Sequence, residues 1–506
     1  MSDSTYEALT SGKTTFRQKI IALAREAENS LDVLDIPPKF SRYFEKSGVC
    51  DMGEGHAPYR PRYVMVDFEK FTRQGSAFLR LPPPRDLDEL LSSLQILYFH
   101  VPSITTMPVY LGNLDTLIDP FLDGLSDDEI CAKLRNFLNY VDRTVADGYC
   151  HANIGPSETR TGRLILKMER ELQNAVPNFT LKYDPEITSD EFAEEAILSS
   201  LHCANPAICN DRAHKGTYPD GYGISSCYNI LPLRGGAYTL SRIVLPRLAK
   251  LASNAEDFLG NILPDALQGL GEYMNERISF LVEKSNFFES SFLAKEGLIE
   301  RERFVGMFGV AGLCDCVNFL LADTGARYGR SAAADDLGER IMTVIADFAA
   351  AFPAKYSEIS GRRFLLHAQA GLSTDVGVTA GVRIIVGDEP INLLDQLRHS
   401  ARFHRFFPTG CSDIFPFDAT ARKNPGAILD IVKGAFSLGD KYCSFYAAGG
   451  DLVRITGYLV KRSEIEKYDR GEVVLHDTVQ NGSSNYKLNR LKDRKVRSTD
   501  GMGSCK

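Results

Sequence analysis

Residues 155–200, GPSETRTGRLILKMERELQNAVPNFTLKYDPEITSDEFAEEAILSS, restrict the fold more than any other stretch. Apolar residues recur at helical spacing, then give way to a short apolar and aromatic run at 179–183, FTLKY, and then return to helical spacing. One short strand between two helices cannot bury itself. It must pair with other strands inside while the helices cover it, which predicts an α/β chain with strands within and helices outside.

The same reading predicts an amphipathic helix over 14–35 and irregular wrapping over 36–85, where Pro, Gly and aromatics are dense. DLDELLSSLQILYFH and LSDDEICAKLRNFLNYVDRTV read as helices, with a further helix starting at Asn113 or Asp115 between them. Residues 237–350 read as several helices, among them AYTLSRIVLPRLAKLA and LPDALQGLGEYMNERISFLVEK. FVGMFGVAGLCDCVNFLLADTG is apolar enough to be buried, and 361–390 read as strand and loop. A helix precedes the stretch around Gly457, and the last forty or so residues form a polar tail. The expected organisation is an N-terminal helix and wrapping segment (1–85), an α/β core (86–440), and a C-terminal glycine loop and tail (441–506).

At 506 residues the chain can bury a large core, and its 44% hydrophobic and 25% charged content is that of an ordinary globular protein. A net charge of -8 argues against nucleic acid as the main partner. No apolar run is long enough to cross a membrane, and the N-terminus lacks the apolar core of a signal peptide. A cytoplasmic location is expected, with the 11 cysteines reduced. There is no C-x-x-C pair, and Cys314 and Cys316 point apart on a helix, so no metal site is expected. Cys50, Cys131, Cys150, Cys314, Cys316 and Cys443 read as small apolar fillers.

Two short motifs carry chemistry. Arg454-Ile455-Thr456-Gly457-Tyr458 lies among β-branched and aromatic residues, as a strand entering a turn. A glycine there has a Cα–H reachable from outside, and loss of that hydrogen leaves a planar radical spread over the flanking amides. The second motif, GYGISSCYNILPLRGG at 221–236, offers Cys227 among turn-forming residues. It closes a long irregular stretch (200–236) rich in Gly, Pro, Asn and Cys, the kind of segment that carries function in a compact chain. His202, Asn205, Asn210 and Asp211 on that stretch, with His367 further on, are candidate substrate-binding residues.

With both motifs in view, the chain resembles the glycyl radical enzymes. RITGY matches their radical-site pattern, and NPAICND followed by GYGISSCYN resembles the stretch that leads to their thiyl cysteine. VPNFTLKYDP resembles a strand of their lyases, whereas GGAYTLSRIVLPRLA and GMFGVAGLCDCVNFLL resemble the anaerobic ribonucleotide reductase. At this length the chain most resembles the YjjI family. The resemblance implies a ten-stranded barrel of two five-stranded halves ringed by helices, with the Gly457 and Cys227 loops meeting inside. It implies Arg454 and Tyr458 as supports of the radical loop and no permanently bound cofactor. It also implies a radical S-adenosylmethionine activase, with its own iron–sulfur cluster, as partner. A homodimer acting on a small polar molecule, by elimination, cleavage or reduction, completes the expectation.

Two departures limit the choice of reaction. Where the dehydratases carry a glutamate base two positions after the cysteine, this chain has Asn229, a neutral amide that can orient a hydroxyl or carbonyl. Ser226 precedes Cys227, which disfavours the paired cysteines of formate-lyase chemistry, and only Cys505 follows Cys443, too few for the reductase zinc site. The competing expectation is a non-catalytic barrel relative that binds or regulates. Retention of both Gly457 and Cys227 argues against it.

Overall fold

The structure is a computed structural model that describes residues 3–105, 107–145, 148–369, 378–384, 391–447, 449–455 and 457–479. Its strands are β1 (Val49–Cys50), β2 (Tyr63–Met65), β3 (His151–Ile154), β4 (Asn178–Tyr183), β5 (Ala207–Asn210), β6 (Tyr222–Ser225), β7 (Asn229–Pro232), β8 (Gly235–Val244), β9 (Phe304–Ala311), β10 (Leu365–Ala368), β11 (Asp413–Phe417), β12 (Tyr442–Ala447), β13 (Leu452–Arg454) and β14 (Leu459–Lys461).

The α/β expectation holds, with two five-stranded mixed sheets. In the first, β8, β9 and β10 run parallel, and β1 and β2 pair antiparallel with β8. In the second, β3, β4 and β5 run parallel, β12 crosses antiparallel onto β5, and β11 is parallel to β12. Among the described residues no strand pairing joins the two sheets into a closed barrel. β6 with β7, and β13 with β14, form two separate hairpins.

The helix–strand–helix unit forms as its sequence dictates. Thr159 caps the helix Arg160–Leu172 by accepting from the Gly162 N–H, and Ser189 caps Asp190–Cys203 by accepting from Phe192. Each cap is worth about 1 kcal/mol. Between them every residue of β4 is buried. Ser126 and Glu129 form a reciprocal capping box at the start of Asp127–Thr144, and the helix Leu114–Ile118 starts with Asn113 at its cap.

Three expectations are corrected. The N-terminal helix runs only from Phe16 to Glu28, because a Thr15–Gln18 capping box starts it late and the chain turns at Asn29 and Ser30. The wrapping segment contributes β1 and β2 to the first sheet, strands too short to leave a periodic signal. AYTLSRIV is no helix but most of β8, a ten-residue strand buried on both faces. A strand covered on both sides shows no alternation, so its apolar run looks like that of a buried helix. Of 361–390, the strand is β10, and residues 370–377 and 385–390 lie outside the described residues, as does the tail from 480 onward.

The two chain ends meet. Gln18 Nε2 donates to the carbonyls of Val474 and Leu475 at 3.3 Å each, and His476 Nε2 donates to the Asp142 carbonyl at 2.7 Å. These bonds seat the segment that follows the β13–β14 hairpin against the N-terminal helix and the helix Asp127–Thr144.

Candidate active site

Cys227 stands at the tip of the β6–β7 hairpin. Ser225 pairs with Asn229, which leaves Ser226, Cys227 and Tyr228 to make the turn. Ser226 sits in the left-handed region at φ 54°, strained for a residue with a side chain. Second-sheet side chains hold it there. The Ser226 N–H donates to the Val109 carbonyl at 3.0 Å, and its own carbonyl accepts from His151 Nδ1 at 2.8 Å. His151 Nε2 then accepts from the Thr180 hydroxyl at 2.7 Å, which accepts from the Tyr442 hydroxyl at 2.8 Å. Burial pushes the His151 imidazole down to about 3, so this chain of bonds keeps one direction at neutral pH. Asn153, two residues along β3, brackets Ile224 by donating to its carbonyl at 3.0 Å and accepting from its N–H at 2.8 Å. Gly410, at φ 126°, lies so close beneath that an added Cβ would be 2.2 Å from the Tyr228 carbonyl oxygen.

Gly457 stands at the tip of the β13–β14 hairpin. Arg454 pairs with Leu459, and the Ile455 N–H donates to the Tyr458 carbonyl at 3.1 Å to close the turn. The Arg454 guanidinium is buried and donates to the carbonyls of Gly457 at 3.2 Å and Ala204 at 2.5 Å. Loss of solvation lowers its pKa below the usual guanidinium value, and the two carbonyls supply the partners that water would have given. The Tyr458 ring meets the edge of Tyr149 with centroids 5.0 Å apart.

The two tips touch. A Cβ built on Gly457 would lie 2.1 Å from Cys227 Cβ, 2.4 Å from its Cα and 2.7 Å from its carbonyl carbon. No side chain fits in that gap, so only glycine brings its Cα against the cysteine. Cys227, Tyr228, Val453, Ile455, Tyr458 and Val460 share one apolar cluster with Tyr222, Ile224 and Tyr442, apart from the main core.

Cys227 also lines a cavity of about 450 Å³. Ser226, Tyr228 and Asn229 line it from the same hairpin, Arg60, Arg62 and Tyr63 from the strand side, and His367 and Gln369 from the end of β10. Ala22, Arg25, Glu26 and Glu28 of the N-terminal helix form a wall. The inner charges are paired, Arg62 with Glu54 at 2.8 Å and Arg60 with Glu28 at 2.9 Å. His367 stacks on Tyr228 and donates from Nδ1 to the Thr409 carbonyl at 2.9 Å. Burial pushes its imidazole down to about 3.

Of the expected site residues, Gly457, Cys227, Asn229 and His367 come together here, with Arg454 and Tyr458 on the glycine hairpin. Four others do not line the cavity. His202 is exposed on its helix. Asn205 is buried and bonded to Glu169, to the Pro177 carbonyl and to the Phe179 N–H. Asn210 caps a short helix, and Asp211 accepts from Tyr222 at 2.7 Å and pairs with Lys215 at 2.6 Å. Sequence reasoning missed His151, Asn153, Arg62, Tyr63 and Gln369, which long-range packing delivers. The HAN triplet at 151–153 in an apolar setting was the one available signal.

This pair of facing hairpins between two five-stranded sheets is set in the glycyl radical enzyme fold. The anaerobic ribonucleotide reductase of Thermotoga maritima, solved with dATP and CTP, superposes with a TM-score of 0.71 over 92% of this chain and 93% of that one, at 13% identity. The model of the family described as "Glycyl radical enzyme YjjI-like" matches residues 14–497, and the chain belongs to that family. It is 44% identical to an uncharacterized protein of Haemophilus influenzae over 491 residues, 96% of this chain and 95% of that one. It is 43% identical to YjjI of Escherichia coli (strain K12), also described as uncharacterized, over 494 residues, 97% and 95% of the two chains.

Proposed function

We propose that this protein is a radical enzyme in which Gly457 gives up a Cα hydrogen to an activase and Cys227 is the sulfur that meets substrate. The observation that carries the reading is the contact of the two hairpin tips, with Cys227 between Gly457 and the cavity. In each cycle the Cys227 S–H hydrogen passes to the Gly457 carbon, and the sulfur then takes a hydrogen from a substrate C–H. After the substrate rearranges, the sulfur returns a hydrogen to the product and regains one from Gly457, so hydrogens balance and no outside oxidant is needed. The protein's part is placement and exclusion of water, while the radical does the hard step.

The substrate is a small polar molecule, and the reaction is of lyase, eliminase or reductase type. A glutamate-assisted dehydration at the position after the cysteine is disfavoured, because Asn229 stands there. The two five-stranded sheets act as the two halves of a barrel around the tips. The activase is a radical S-adenosylmethionine enzyme with an iron–sulfur cluster, and the working unit is a cytoplasmic homodimer.

The test is electron paramagnetic resonance after anaerobic treatment with the cognate activase and S-adenosylmethionine. A doublet from the remaining Gly457 α-hydrogen is expected in the parent and in Cys227→Ser, with substrate turnover lost in the latter. The same doublet from Gly457→Ala would move the radical to another residue.

A further inference from the structure

Asn229 leaves a clear mark on the cavity. Its Nδ2 donates to the Ser225 carbonyl at 3.1 Å, and since a carbonyl only accepts, the amide orientation is fixed. The other atom, Oδ1, is buried and has no hydrogen-bond partner among the described residues, although the residue is 2% exposed and lines the cavity. A buried acceptor left without a donor is costly, so it marks where a donor is to arrive. His367 repeats the logic. Its Nδ1 carries the proton that goes to the Thr409 carbonyl, so in the neutral ring Nε2 holds a lone pair. Burial and the nearby Arg62 charge keep the ring neutral at physiological pH. Asn229 and His367 thus bring two neutral acceptors into the cavity that Cys227 lines.

We propose that Asn229 Oδ1 and His367 Nε2 are a specificity-determining pair that accepts hydrogen bonds from hydroxyl groups of an uncharged polyhydroxy substrate presented to Cys227. This rests on the reading of Cys227 as the sulfur that meets substrate. Charge decides among donors and acceptors. A carboxylate at this end would set lone pairs against lone pairs. An ammonium group would enter the field of Arg62, the same charge that disfavours a proton on His367. The cavity's paired arginines leave no strong net charge for an ionic ligand to answer. A hydroxyl satisfies the acceptors without either penalty. A hydroxyl that donates to an acceptor also pushes electron density onto its own carbon, which weakens the C–H bond there and suits hydrogen removal by sulfur. A cavity of about 450 Å³ suits a molecule of a few carbons.

The experiment uses the full-length, unactivated protein and needs no radical. Iodoacetamide alkylation of Cys227 is followed by peptide mass spectrometry in the presence of erythritol, erythritol tetra-O-methyl ether, ethylammonium or acetate. Erythritol is expected to protect Cys227, and the ether, which lacks donors, is not. Asn229→Leu and His367→Phe (which keeps the ring on Tyr228) should each raise the half-protecting erythritol concentration at least tenfold. Equal protection by the ether, stronger protection by acetate or ethylammonium, no protection by erythritol, or variants that leave its half-protecting concentration unchanged would each overturn the proposal. The radical reading is judged separately by the Gly457 doublet, so either can fail alone.

Discussion

Replacing Gly457 with alanine tests the meeting of the two hairpins by physics alone, before any radical is made. The new methyl would lie 2.1 Å from Cys227 Cβ, 2.4 Å from Cα and 2.7 Å from the carbonyl carbon. Carbon atoms in ordinary contact sit about 3.5 Å apart, so the tips must separate by about 1 Å or more. None of the three atoms belongs to a movable side-chain end, so no rotamer change relieves the clash. The Arg454 bond to the Gly457 carbonyl, already 3.2 Å, would break and leave a buried guanidinium one partner short. Overpacking and the lost bond together cost about 2–5 kcal/mol. A chain this long loses about 1 kcal/mol per degree of melting temperature, so unactivated Gly457→Ala should melt about 2–5 °C below the parent. Cys227 should be alkylated faster in the variant, because the tip that covers it has moved. Cys227→Gly should not restore the melting point, since it removes only one of the three clashing atoms. Unchanged melting together with unchanged alkylation would refute the contact itself, whatever the chemistry.

Activated protein exposed to air should split at Gly457, because dioxygen adds quickly to a backbone carbon radical and the product breaks the chain. Mass spectrometry should find a large fragment ending close to Thr456 and a short C-terminal one, with unactivated protein intact; equal cutting of both samples would indicate proteolysis instead. A third expectation concerns Asp440, whose carboxyl is pushed up to about 8, chiefly by burial and further by Asp413. The raised folded-state pKa makes the unfolded chain the weaker proton binder, so the stability this group supplies at low pH is lost as pH rises toward 8. Asp440→Asn should therefore gain on the parent by about 1.4 kcal/mol per pH unit between about pH 4.5 and 8, read from urea midpoints. A pH-independent difference would place an ionised carboxylate there.

What the sequence discloses depends on whether the signal is local. The β4 unit was legible because amphipathic helices with Thr159 and Ser189 at their starts carry their own periodicity and caps. The Cys227 and Gly457 motifs were legible because each packs its chemistry into a few adjacent residues. β8 was not, since burial on both faces erases the alternation that marks a strand. The cavity was legible only where it borders Cys227. Asn229 is two residues away, but His367 and Arg62 arrive through sheet pairing that no short window contains. His202 and Asp211 looked plausible by proximity along the chain, yet a helix and a salt bridge turn them to other work.

The joining of the chain's two ends has a consequence for the order of events. The segment after Gly457 is sewn to the N-terminal helix through Gln18, and that helix is also a wall of the cavity. On the proposed reading, a second protein can reach Gly457 only if the hairpin leaves its socket. That movement draws on the same seam that holds the wall in place. Charging and turnover therefore exclude each other in time: a chain offered to its activase has an open vessel, and a chain at work has a sealed one. Whatever occupies the cavity then acts as a brake on recharging, and an empty enzyme is the one best placed to be switched on.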